Sequence, residues 1–161
     1  MSQADPPVEH PAVAVASVAQ RVGGALVDGL LTSMVVVVPL LLRVIDADDL
    51  QGQLPAGWAV ALLAFGAAYT IVPTARWGQT LGKVAVGTRV VAEADGSLPG
   101  WRRAAIRWAV PGFVGRLPYV GIWFSLAVMA SLVLDDRRRG LHDKAAGTIV
   151  VRVSSADTVG V

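Results

Sequence analysis

Asp28 is the one carboxylate in an otherwise apolar run from Val22 to Leu42. An ionised carboxylate at the centre of a bilayer costs about 3 kcal/mol on insertion scales. It must therefore meet a partner helix, water or a cation. Arg21 precedes Asp28 by seven residues, about 20° short of two full helical turns, so the two share a helix face. At 1.5 Å of rise per residue, Asp28 sits about 10 Å deeper than Arg21. Gly24 and Thr32 lie on the same stripe, and Ala25-x-x-x-Gly29 beside it is a small-xxx-small pattern, so this face packs closely against something. Two chemistries fit. Asp28 is either a protonatable or cation-binding group on a transport path, tuned by Arg21 or Arg116, or a structural partner of Arg107, Arg116 or the third apolar region. Coupled transporters usually carry more intramembrane polar groups and paired repeats, which favours the structural role.

Arg116 is the other charge in apolar surroundings, between Gly115 and Pro118. It is expected to snorkel to an interface or to pair with Asp28. His142 and Asp143 follow the basic triplet Arg137-Arg138-Arg139. With no second histidine nearby, neither a metal site nor a Ser-His-Asp site is expected. Asp143 is expected to cap a helix or to tie the arginine triplet to a cytoplasmic element. The chain has no cysteine, which excludes disulfides and thiolate metal sites. No enzyme activity, cofactor or metal is expected.

These residues need elements to hold them, and composition says which. Hydrophobic residues make up 54% of the 161 and charged residues 16%, against about 25% charged in a typical soluble domain. Mean hydropathy is +0.57. Disorder is excluded, and the length allows one domain. About 20 apolar residues cross a bilayer, so residues 22–42 and 54–75 each predict a spanning helix. The region of about 106–134 is longer than one crossing needs and shorter than two. It reads either as one kinked span or as a broken, hairpin-like element bent around Arg116.

Loop charges choose between them. The acidic loop 43–53 carries one arginine, whereas the 76–107 loop carries Arg76, Lys83, Arg89, Arg102, Arg103 and Arg107. The tail carries Arg137, Arg138, Arg139, Lys144 and Arg152. Basic residues stay on the cytoplasmic side, so both basic segments and both termini belong inside. That requires the third region to leave on the side it entered. The predicted fold is an all-α membrane protein with two full transmembrane helices, a broken or hairpin-like third apolar region and a small cytoplasmic β-element. Residues 1–16 read as a disordered lead, 17–153 as the membrane domain and 154–161 as a flexible tail. No cleavable signal peptide is expected.

The β-element is predicted from Lys83–Glu93, a Val-rich run ending in an Asp-Gly turn, and from 147–153. The two echo each other as Gly87-Thr88-Arg89-Val90-Val91 and Gly147-Thr148-Ile149-Val150-Val151. Two strands on one side of a membrane are expected to pair. Trp58, Trp77, Trp101, Trp108 and Trp123 mostly fall near the ends of apolar segments, as interfacial anchors do. The basic loops are expected to meet anionic lipid headgroups rather than nucleic acid. A chain this thin is expected to self-associate or to join a membrane complex.

Three motifs in order resemble the RDD family of small bacterial membrane proteins. They are Arg21-x-Gly-Gly-Ala-x-x-Asp28; Gly78-Gln79-Thr80-Leu81-Gly82-Lys83 with Gly87-Thr88-Arg89-Val90-Val91; and Arg138-Arg139-Gly140-Leu141-His142-Asp143 with Ala146-Gly147-Thr148. The likeness covers roughly residues 17–153. Val84 and Ala85 depart from it, standing where the family often has a basic or bulkier residue. It implies that Arg21, Asp28 and Asp143 are the family's signature charges. It also implies that Gly78, Gln79, Gly82, Lys83, Arg89 and His142 belong to its cytoplasmic motifs. For function it implies a protein of the cytoplasmic membrane, with transport or cation/proton exchange proposed or reported for members.

Overall fold

A computed structural model describes residues 14–44, 56–114 and 120–153. The helix α1 spans Val18–Leu41. Its first turn is closed by a capping box: the Gln20 amide donates to Ser17 Oγ at 3.1 Å, and the Ser17 amide donates to Gln20 Oε1 at 3.1 Å. Such a box satisfies two of the donors that a helix start leaves unpaired. The second long helix, α2, spans Ala56–Trp77 and stops at Gly78, whose φ of +70° suits glycine. A side chain at Gly78 would sit 2.5 Å from the Val90 carbonyl oxygen.

After α2 the chain forms a short helix, α3, at Leu81–Ala85, and then strand β1 at Thr88–Ala92. The sequence places a strand from Lys83. Its first residues are helical instead, because Asp28 caps them from across the fold. The helix α4 covers Gly100–Val114, starting before the expected 106, and α5 covers Val120–Leu134. The third apolar region is thus helical on both sides of 115–119. Those residues, Arg116 among them, lie outside the described set, as do 1–13, 45–55 and 154–161. The last elements are α6, Leu141–Ala146, and β2, Thr148–Arg152.

The two strands pair antiparallel, Thr88 with Arg152 through to Ala92 with Thr148. The echo in the sequence therefore marks two strands of one ribbon. Val15 adds a bridge to Val151 on the free edge of β2, so residues 14–16, counted with the N-terminal lead, join the sheet.

Packing is inverted relative to a soluble domain. The largest fully buried side chains among the described residues are Val90 and Val150 with Thr74, Thr80, Thr88, Thr148 and Asp143. Leu26, Leu30 and Leu41 of α1, Val60 of α2 and Trp123 and Leu126 of α5 are exposed. Only 6% of the most apolar stretch of α1 is buried, and 11% of that of α2. An apolar core helix of a soluble protein would be mostly covered. Among the described residues, two helices are long and apolar enough to cross a membrane, bare on the outside and joined by a polar core at one end.

Candidate functional site

The helices α1 and α2 scarcely touch each other; α1 packs on α3, α2 on α4, and α4 on α6. Two carboxylates make the joints. Asp28 leaves α1 toward the N-terminal end of α3. Tyr69 Oη of α2 donates to its Oδ1 at 2.7 Å, Thr80 Oγ1 donates to its Oδ2 at 2.5 Å, and the Gly82 amide donates to Oδ1 at 2.8 Å. Lys83 Nζ lies 3.5 Å from Oδ2 and donates to Thr80 Oγ1 at 3.2 Å. Thr80 occupies the N-cap of α3 but makes no side-chain cap of its own. Asp28 supplies that acceptor and places negative charge at the helix start, where the helix dipole favours it. The contact requires glycine at 82, since a Cβ there would run into the Gly24 carbonyl oxygen and lie 2.7 Å from Asp28 Cγ.

Asp143 is fully buried. Arg21 Nη1 donates to its Oδ2 at 2.5 Å, and Arg107 Nη1 pairs with its Oδ1. The Gly140 amide donates to Oδ2 at 3.0 Å, which closes the start of α6. Arg107 also donates to Thr148 Oγ1 at 3.2 Å. One carboxylate thus ties the beginning of α1, the middle of α4, α6 and β2 together. His142 lies beside it, with Nε2 3.7 Å from Asp143 Oδ1. Burial, then the fields of Arg107, Arg21 and Lys83, push the imidazole well below its usual range. Burial and Arg107 likewise lower the Lys83 ammonium to about 8, against the pull of Asp28.

The remaining motif residues brace the ribbon. Gln79 Nε2 donates to the Thr88 carbonyl at 2.8 Å, and Arg89 Nη2 donates to Gln79 Oε1 at 3.4 Å. The triplet is held elsewhere than expected. Arg137 and Arg139 pair with Glu93, and Arg139 also with Asp135. Asp143 caps its helix, as one reading of it holds, but it takes Arg21 and Arg107 rather than the triplet. Arg139 holds the carboxyls of both Glu93 and Asp135 below their ordinary range.

Arg21 and Asp28 lie along one helix, as the spacing predicts, and each finds its own partner: Asp143 for Arg21 and the start of α3 for Asp28. One further pairing differs from the sequence reading. Arg107 meets Asp143 rather than Asp28. Tyr69, Thr80 and Thr148 were not singled out from the sequence. A usable signal existed for Tyr69, a phenol within the uncharged run 54–75 whose hydroxyl needs a partner there.

Cavities adjoin both joints. One of about 200 Å³ is lined by Gln20, Arg21, Lys83, Arg107, His142 and apolar side chains of α1 and α5. A second, of about 330 Å³, shares Lys83, Arg107 and His142 and adds Thr70, Trp108 and Pro111. A third, of about 440 Å³, lies between α1 and α2 and shares Thr70 and Trp108 with the second.

Two helices long and apolar enough to cross a membrane, clamped at one end by buried charges beside a β-ribbon, have the make-up of a small helical membrane protein. The chain belongs to the RDD family, whose model matches residues 15–147. No curated protein and no solved structure matches it.

Proposed function

We propose that the protein is a multi-pass protein of the cytoplasmic (inner) membrane, with both termini and the ribbon on the cytoplasmic side, serving as an accessory or scaffold subunit of a larger membrane assembly. The observation that carries this is the state of Asp28. Both its oxygens already accept hydrogen bonds, and Lys83 neutralises it. A carboxylate so engaged acts as a joint. The crevice between α1 and α2 offers a place for a further helix. It is lined by Gly29, Thr32, Ser33 and Gly66, and small residues let helices approach closely in lipid.

The orientation rests on the basic loops. Arg107 of α4 and Leu132 near the end of α5 line one cavity with Val150 of the ribbon, which supports a third region that returns to the side it entered. The chain lacks cysteine, so single cysteines at Ser2, Gln51, Ser97 and Ser155 would each report one side. An impermeant thiol reagent added to right-side-out vesicles should label the Gln51 position alone. Labelling of the Ser155 position would mean three simple crossings.

A second reading is transport or cation/proton exchange. It is favoured by the hydroxyls of Thr32, Ser33 and Thr70, which line cavities leading from the crevice toward Lys83 and His142. Asp28→Asn separates the two. Turning an acceptor-only group into an amide facing three donors should cost about 1.5–3 kcal/mol. The accessory reading expects weaker assembly, loss of co-purifying partners and no proton or cation flux in proteoliposomes of either form. A flux in the wild type, abolished by Asp28→Asn at unchanged monodispersity, would replace it with the exchange reading.

A further inference from the structure

The cavity of about 200 Å³ at the cytoplasmic end of α1 has an unbalanced charge. Arg21, Lys83 and Arg107 line it, and among the described residues no carboxylate does. Asp143 stands behind the two arginines and is shared between them, while Asp28 pairs with Lys83, so three cations meet two carboxylates and one positive charge is left over. The Arg21 side chain is 94% buried by its 6% exposure, yet among the described residues its Nε and Nη2 have no hydrogen-bond partner, and neither does Nδ1 of the adjoining His142. Buried guanidinium donors without acceptors are costly and rare. What these donors lack is an acceptor, and the surplus positive charge around the cavity favours an anionic one.

We infer that this cavity is a binding site for a phosphate group, held by Arg21, Arg107 and Lys83 with Gln20 and His142 at its edge. Its volume exceeds what a halide needs. Guanidinium forks with an ammonium beside them match the spread oxygens of a tetrahedral oxyanion better than a single charge. The neighbouring His142 is kept neutral by burial and the surrounding cations, so it can donate one N–H without adding to the charge. The other walls are apolar, including Val22 of α1 and Leu132 of α5. Further cavities continue from Lys83 and Arg107 through Thr70 toward the crevice between α1 and α2. A phosphate with an acyl tail and free phosphate share the headgroup chemistry, and the charged end sits at the first turn of a spanning helix, where headgroups lie.

The test uses the full chain purified in mild detergent and delipidated. Its melting midpoint and native mass are read with inorganic phosphate, with short-chain phosphatidic acid, and with diacylglycerol of the same chains. A rise with phosphatidic acid but not with diacylglycerol, and a retained adduct of that mass, assign a lipid phosphate. A rise with inorganic phosphate at equal or lower concentration assigns the free ion. No rise with either, or an equal rise with diacylglycerol, overturns the inference. Arg21→Met should weaken binding about tenfold or more. Lys83→Gln, which leaves the Asp143 joint intact, should weaken it in the same direction if the arginine variant fails to fold. Arg102→Gln, an exposed cation on α4, should change nothing. Unaltered binding in Lys83→Gln together with loss in Arg102→Gln would move the anion to the outer surface and overturn the site.

Discussion

Asp143→Asn is expected to lower the melting midpoint of the detergent-solubilised chain by about 6–20 °C, the largest effect of any single change considered. Asp143 is wholly buried and is the shared counter-ion of Arg21 and Arg107. Removing one partner of a buried ion pair costs about 3–5 kcal/mol, because the charge left behind stays desolvated. For a chain of this length each kcal/mol moves the midpoint by about 2–4 °C. Here two guanidiniums are stranded at once, and the amide also weakens the acceptor for the Gly140 N–H that begins α6. Arg21→Met should do less harm, since Arg107 then keeps the carboxylate to itself. The triple replacement Arg21→Met, Arg107→Met, Asp143→Leu should regain much of the loss, because it removes the charges together. Melting curves of the three variants by intrinsic tryptophan fluorescence provide the check. An Asp143→Asn midpoint within about 2 °C of wild type would mean that the two arginines are neutralised by something else.

The same residue shows where sequence reading stops. The spans were legible because hydrophobic length needs no knowledge of neighbours: residues 22–42 and 54–75 differ from α1 and α2 by a few residues at each end. The β-ribbon was legible because Val-rich repeats with Thr at the head favour extended backbone, and 88–92 does pair with 148–152. The important charges could be named as well, since an ion in an apolar run must be compensated. Which ion compensates which could not be read. Helical periodicity aligns Arg21 with Asp28 along one face, but it says nothing of α6, whose Asp143 arrives from the far end of the chain. A pairing that spans 122 positions is decided by the tertiary path. The start of β1 failed for a related reason. Lys83-Val84-Ala85 suits a strand by composition, and only the carboxylate of Asp28, reaching across from α1, fixes the amide of Gly82 and winds those residues into α3.

That contact gives the second large effect, at a glycine. Gly82→Ala should lower the melting midpoint by about 3–20 °C, although alanine is the better helix former by about 1 kcal/mol. The added methyl would overlap the Gly24 carbonyl oxygen and come within 2.7 Å of Asp28 Cγ and 2.8 Å of its Oδ1. Neither can yield cheaply. The first is backbone inside α1, and the second is held by Tyr69 and Thr80. So α3 must retreat, which lengthens the 2.8 Å bond from its Gly82 amide to Asp28. Overpacking costs about 1–3 kcal/mol, and a hydrogen bond to a charged group is worth about 1.5–3 kcal/mol. Less the helix gain, the net is about 1.5–5 kcal/mol. The control lies on the opposite side of the same contact. At Gly23 an added Cβ would meet only Val86 Cγ1 at 3.6 Å, an ordinary contact, so Gly23→Ala should melt at or above wild type. Gly82→Ala and Asp28→Asn attack one joint, so the double variant should lose less than the sum of the two single losses. Full additivity would mean that Asp28 stabilises the chain through some contact other than the start of α3.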